Sequence, residues 1–188
     1  SSFEAASYGA KVAELTNTTA EAIVLGTVSD DLASLGRYGI KKVHTVKNDA
    51  LNQVDAQVFT KILAEAANTL GATVIVFSNN FTGKAIAPRL SVRLKAGLVS
   101  GAVALPDLGN GFTVKKNVFS GKAFAHVAIN TDKKIIALNP NSYGVITTDG
   151  SAEVVEFAAS PDAAKVQVTA TNKVVGEIPL SEAEIVVS

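Results

Sequence analysis

Thr73-Val-Ile-Val-Phe77 is the stretch that most restricts what this chain can fold into. It is β-branched and almost wholly apolar, with no polar alternation. A strand with one wet face alternates, whereas a strand covered on both faces of a parallel sheet does not. Ala22-Ile-Val-Leu25, closed by Gly26, is a second short apolar run, and Lys42 to Lys47 reads as a third strand. Helical patterns separate these runs. Ser1-Ser2-Phe3-Glu4 fits a capping box, with Ser1 as N-cap and Glu4 three residues on. Tyr8, Val12 and Leu15 then recur at helical spacing. Asp30 to Tyr38 reads as a short helix ending at Gly39. Val54 to Leu70 carries Val58, Ile62 and Ala66 on one stripe, with Phe59, Leu63 and Leu70 beside it, and Gly71 stops it. A further helix is expected over Ala85 to Lys95, with Ile86, Leu90 and Leu94 in register. Pro88 is then placed in or near its first turn, where a missing N–H does little harm.

This alternation predicts an α/β fold of three layers, a parallel sheet flanked by helices. The pattern opens on a helix where a βαβ series calls for a strand. A strand missing from the sheet would leave two neighbours with unpaired backbone. The expectation is therefore a short strand upstream of Ser1 in the natural chain.

The second half changes character. Phe112 to Phe119, Lys122 to Asn130 and Lys133 to Asn139 read as short strands joined at Ser120-Gly121 and Thr131-Asp132. Turn pairs at that spacing predict a small antiparallel meander. Val154 to Ala158 and Val166 to Ala170 are two more strand candidates. One α/β domain over residues 1–170, with residues 171–188 as linker and the start of a further strand, is the resulting organisation.

Composition narrows the chemistry. Hydrophobic residues make up 47% of 188 and charged ones 18%, a balance that excludes disorder. Lys+Arg and Asp+Glu number 17 each, so no basic field exists for a phosphate backbone, and nucleic acid is discounted as a partner. With no cysteine, a disulfide, a thiolate nucleophile and a Cys-ligated metal are impossible. No apolar run approaches the ~20 residues that span a bilayer, so membrane insertion is not expected.

The histidines, His44 and His126, sit in strand patterns without a ligand-spaced partner, and each reads as a partly buried, hydrogen-bonded strand residue rather than a metal ligand. Asp30-Asp31, after a strand, reads as an N-cap. The most suggestive segment is Ser78-Asn-Asn-Phe-Thr-Gly83, opening onto Lys84, Arg89 and Arg93. Helix N-termini bind anions, and ligands of open parallel sheets sit at the carboxyl ends of strands. The phosphate-loop pattern GxxxxGK[ST] and the dinucleotide pattern GxGxxG are both absent, and Gly26-Thr27-Val28-Ser29 is weaker still. Arg89 and Arg93, one turn apart, read as a solvated or protein-facing surface. No catalytic, cofactor-binding or metal residue is assigned.

Phe81-Thr-Gly-Lys-Ala-Ile-Ala-Pro-Arg-Leu90, continuing into SVRLKAGLVSGAVAL, resembles the N-terminal domain of the electron-transfer flavoprotein alpha-subunit family. The residues that carry the likeness are Gly83, Ala87, Pro88 and Arg89, then Arg93, Leu94, Ala96, Gly97 and Leu98. Gly121-Lys122-Ala123 is similar to the family's Gly-Lys-Ala hairpin. Leu138-Asn139-Pro140-Asn141 resembles its Arg-Pro-Asn turn with the arginine replaced, and Gly101 stands where an acidic residue is common. The resemblance implies a Rossmann-like fold of the adenine-nucleotide alpha-hydrolase type, and a strand ahead of the first helix. It implies that Ala183-Glu-Ile-Val-Val-Ser188 leads into a glycine-rich turn and an FAD-binding C-terminal domain. FAD is then expected in the intact subunit and not in this fragment, which alone should be a redox-silent carrier part rather than an enzyme. The implied partners are the family's beta subunit and, through the intact complex, dehydrogenases and an electron acceptor. The bacterial cytoplasm is preferred to the mitochondrial matrix. The alternative from another class is a small-molecule domain holding ATP or AMP near Ser78 to Gly83.

Overall fold

The computed structural model describes residues 2–159, 161–170, 172 and 176. The expected strand at Ala183 to Ser188 lies outside them. The elements in chain order are α1 (Ser2–Leu15), β1 (Glu21–Leu25), a 3-10 segment (Leu32–Tyr38), β2 (Lys42–Val46), a second 3-10 turn (Asp49–Asn52), α2 (Ala56–Thr69), β3 (Val74–Ser78), α3 (Phe81–Leu94), β4 (Gly97–Ala102), β5 (Thr113–Val118), β6 (Ala123–Ala128), β7 (Lys134–Leu138) and β8 (Glu153–Glu156). The α/β class and the parallel sheet follow the sequence expectation. Among the described residues, no helix is long and apolar enough to cross a membrane.

Two departures concern the second half of the chain. Lys134–Leu138 does not complete a meander. β5 and β6 form an antiparallel hairpin, but β7 inserts between β3 and β4 and runs parallel to both. The cause is visible in its side chains. Ile135, Ile136, Ala137 and Leu138 are all buried, a continuous apolar run that only a doubly covered position accommodates. β6 instead exposes Phe124, His126 and Ala128 and keeps Ala125 and Val127 half-covered, as a hairpin arm with one wet face should. The second departure is Val166 to Ala170, which forms no strand and is exposed throughout. β8, four residues long, pairs in parallel with β2 and so returns to the first half of the chain.

The strands form two sets, β1-β2-β8 and β3-β7-β4-β5-β6. Both share the same helical layers. On one face Ile23 and Leu25 of β1 and Phe77 of β3 join a cluster with Val58, Phe59 and Ile62 of α2 and Ile86 of α3. On the other face Ala22 and Val24 pack with Ala6 of α1, while Val74 and Val76 pack with Tyr8 and Val12 of the same helix. Helix α1 thus covers β3 and reaches the cluster on which β1 also packs. Among the described residues, neither strand has a neighbour on its second edge.

Helix starts are fixed by short polar side chains. Asp31 accepts from the Ala33 N–H at 3.1 Å, the cap expected of the Asp30-Asp31 pair, and Gly39 ends the segment at φ +86°. Asn80 accepts from the Gly83 N–H at 2.9 Å, so α3 begins at Phe81, four residues earlier than its apolar register suggests. Pro88 therefore lies inside the helix, where it faces solvent and costs one intrahelical bond. Leu15 and Leu70, expected on apolar stripes, fall at helix ends and are exposed.

Gly36 holds the two halves of the chain in contact. A Cβ there would lie 2.2 Å from the Ser151 carbonyl carbon and 2.3 Å from the Ala152 nitrogen, both backbone atoms that cannot swing aside. The close approach lets the Ala152 N–H donate to the Ala33 carbonyl at 2.9 Å. Gly36→Ala should destabilise the domain by about 2 kcal/mol, as overpacking does. Urea unfolding followed by circular dichroism checks it; an unchanged midpoint contradicts the packing described.

Candidate functional site at the carboxyl ends of the parallel strands

The strands β3, β7 and β4 end side by side, and the residues following them meet there. The Asn79 N–H donates to the Leu138 carbonyl at 2.7 Å, and the Asn139 N–H to the Ala102 carbonyl at 2.9 Å. Their side chains close a small network: Asn79 Nδ2 donates to Asn139 Oδ1 at 2.7 Å, and Ser100 Oγ donates to Asn79 Oδ1 at 3.1 Å. Gly101, at φ +87°, forms the irregularity that shifts β4 against β7, and a Cβ there would touch the Asn139 amide. Asn80 and Gly83 seat the start of α3 against β3 so tightly that a Gly83 Cβ would lie 1.9 Å from the Ser78 carbonyl oxygen. Ser78 to Gly83 is therefore not an open loop. It is a strand end, two residues and the first turn of a helix.

The segment after β7 is held from the opposite side. Glu4 of α1 is buried, and its carboxylate accepts from successive backbone N–H groups: Asn141 at 2.9 Å, Tyr143 at 2.8 Å and Gly144 at 3.1 Å, with the Ser142 N–H beside them. Glu4 thus serves a tertiary contact; Ser1, the N-cap of the capping box read from sequence, lies outside the described residues. Asn141 at φ +60° and Gly144 at φ +89° supply the left-handed turns that aim these donors inward. Burial alone would raise the Glu4 pKa, but the backbone N–H bonds outweigh it and hold the carboxyl below its ordinary value. One turn on, the Ile146 N–H donates to Ser7 Oγ, and Ser7 Oγ donates to the Ile146 carbonyl, both at 3.1 Å. Tyr8, fully buried, donates its hydroxyl to the Ala104 carbonyl at 2.8 Å and meets the Tyr143 ring edge-on. Its burial, and secondarily the neighbouring Tyr143, push that hydroxyl well above the usual phenol range.

A set of convergent backbone N–H groups at the end of a parallel strand can bind an anion. Here that geometry exists and the protein's own carboxylate occupies it. The other sequence candidates lie elsewhere. Lys84, Arg89 and Arg93 are exposed along α3, and Arg89 Nη1 donates to the Ala85 carbonyl at 2.7 Å. Thr27, after β1, is engaged by Asn52 and Asp49. His44 is buried in β2 with Nε2 2.6 Å from Glu21 Oε2, the hydrogen-bonded strand position expected of it. His126 departs from expectation and is exposed on β6. Among the described residues, no three His, Cys, Asp or Glu side chains gather in a way that could hold a metal ion. Sequence reading missed the role of Glu4, because its partners lie beyond residue 140 and only tertiary structure joins them.

Comparison with known proteins places the fold. The electron transfer flavoprotein domain family matches residues 1–162. Electron transfer flavoprotein subunit alpha of Bacillus subtilis (strain 168) is 29% identical over 196 residues, covering 93% of this chain and 60% of the relative. The protein of the same name from Syntrophomonas wolfei is 28% identical over 171 residues, covering 89% of this chain and 54% of its own length. The putative electron transfer flavoprotein subunit YdiR of Escherichia coli (strain K12) is 30% identical over 131 residues, with 69% of this chain and 41% of the relative covered. The chain belongs to the electron transfer flavoprotein domain family. It spans less than two thirds of the length of these relatives.

Replacing Glu4 by Gln leaves one acceptor oxygen and turns an NH2 group toward backbone donors. Loss of charge-assisted bonds of this kind costs about 2 kcal/mol, so Glu4→Gln should unfold at correspondingly lower urea at neutral pH. Because the folded pKa is depressed, the stabilisation is complete above the unfolded value of 4.5 and fades as pH falls through the folded one. The gap between the two proteins should therefore narrow below pH 4.5. A gap independent of pH contradicts a charged Glu4.

Proposed function

We propose that this chain is the first domain of an electron-transfer flavoprotein alpha subunit. It serves as a folded mount that associates with the beta subunit and positions an FAD-binding domain supplied by further chain. Electrons then pass from dehydrogenases to an acceptor through the flavin of the intact complex, in the bacterial cytoplasm. Flavin chemistry needs an isoalloxazine, and the protein's part is to bind and orient it. The observation that carries the reading is the state of the crevice after β3, β7 and β4. The donors there are occupied by Glu4, Asn79, Asn139 and Ser100 themselves, which suits a mount better than a nucleotide site. The family match and the coverage of the alpha-subunit relatives support it.

The proposal includes a strand upstream of α1 in the natural chain, lying between β1 and β3. Among the described residues both strands present a free edge, and both are only half-buried. The fastening of Glu4 beyond β7 puts the start of α1 at the carboxyl ends of the strands. A strand entering α1 from that end would run parallel to β1, the right-handed crossover that such sheets use.

The longer natural chain, purified, should be yellow and should co-purify with a beta-like subunit. Its Ala22–Leu25 and Val74–Ser78 amides should exchange with solvent more slowly than in the 188-residue chain. Calorimetric titration of the 188-residue chain with ATP and AMP should give no saturable heat; stoichiometric binding of either would overturn the mount in favour of a nucleotide-binding domain.

A further inference from the structure

After β8 the chain crosses the amino-terminal end of α2. The Phe157 N–H donates to the Thr45 carbonyl at 2.8 Å, and Phe157 and Ala159 pack into the cluster that contains Phe59. Pro161, Asp162 and Ala164 then border a shallow hollow with Leu51, Val58 and Phe59. From Asp162 to Ala170 the residues are exposed, so apolar burial contributes little to holding them. Among the described residues two polar attachments remain. Lys61 of α2 contacts both carboxylate oxygens of Asp162 at 2.7 Å, an exposed pair. Asp55, which is 4% exposed, provides the other. Its two oxygens divide the work. Oδ1 caps α2, accepting from the Gln57 N–H at 2.8 Å and the Val58 N–H at 3.2 Å. Oδ2 accepts from the Lys165 N–H at 2.9 Å and the Val166 N–H at 3.2 Å.

We propose that Asp55 is a positioning residue that fastens residues 161–166 to the first turn of α2 and so sets the direction in which the chain leaves the domain. A helix cap needs one acceptor, and Asn or Ser meets that need as well as Asp. The second oxygen is surplus to capping and is spent on the departing segment. A buried carboxylate bonded by four N–H groups holds its partners more firmly than a neutral amide or the exposed Lys61 pair. The inference rests on the proposed function only for what the segment leads to. Under that reading, Asp55 fixes the root of the connection to the flavin domain.

Asp55→Asn separates the two roles. An amide carries one acceptor oxygen, and its NH2 has none to offer. The helix donors are held in place and keep the oxygen, while Lys165 and Val166 lose theirs. Limited trypsin digestion of the 188-residue chain reads the result directly, because Lys165 is itself a cleavage point in the fastened segment. Cleavage after Lys165 should accelerate roughly tenfold in Asp55→Asn, as expected when bonds to a charged group no longer restrain the closed form. Asp55→Ser should behave the same way, and Lys61→Ala should accelerate cleavage less. In both Asp55 variants the Gln57 and Val58 amides should keep their protection from hydrogen exchange. Cleavage at the wild-type rate would overturn the proposal. So would acceleration with equal loss of protection at Gln57 and Val58, which would reduce Asp55 to a cap. Neither result depends on flavin or on a partner, so the outcome stands apart from the fate of the proposed function.

Discussion

Strand β7 is the constraint on which the larger sheet depends. It bonds β3 on one edge and β4 on the other, and both of its faces are covered. Ile135 packs toward Leu90 and Ala87 of α3, while Ile136 and Leu138 pack toward Tyr8 and Val12 of α1. Full burial of an aliphatic side chain is worth roughly 2 kcal/mol. Three of them on one short strand therefore approach the ~5–15 kcal/mol that separates a folded domain from its unfolded chain. A strand held on four sides cannot be displaced singly. The start of α3, the irregularity at Gly101 and the turn gripped by Glu4 are all located relative to it.

The end of that sheet shows one solution to a general difficulty. Backbone donors at the carboxyl ends of parallel strands are left without strand partners and must be bonded by something. In ligand-binding sheets the ligand does so. Here a carboxylate from α1 and an amide–hydroxyl network do it from within, at the cost of burying a charge that only its hydrogen bonds make tolerable. The same arrangement ties the first helix to a segment more than a hundred residues later, so the crevice also serves as a joint.

Much of the α/β half was legible because its signals are local. Apolar runs, helical stripes, Asp31 and Gly39 act within a few residues, and β1, β2, β3, α1 and α2 sit close to where those signals put them. The start of α3 was misplaced because its apolar register begins later than its cap, and Asn80 outweighed the pull of Pro88 toward a first turn. The place of β7 was not legible from turn spacing. Its continuous run Ile135-Ile-Ala-Leu138 was the available clue, and it resembles Thr73 to Phe77 far more than the alternating β5 and β6. Val166 to Ala170 had strand-like residues but pairs with no strand among the described residues. At the candidate site, the two asparagines were visible but their partners were not. Glu4 read as part of a local cap because nothing near it in sequence reveals a set of N–H groups arriving from beyond residue 140.

The late position of β7 and β8 has a consequence for synthesis. A ribosome delivers α1 to β4 first, but β3 and β4 have no strand between them until residue 138 has emerged, and β2 keeps one bare edge until residue 156. Helices can form early, since their contacts are local, whereas pairings distant in sequence are slow to close. Until β7 and β8 emerge, the nascent domain carries unsealed strand edges. In that window the domain is open to association with other chains through the edges that β7 and β8 later cover.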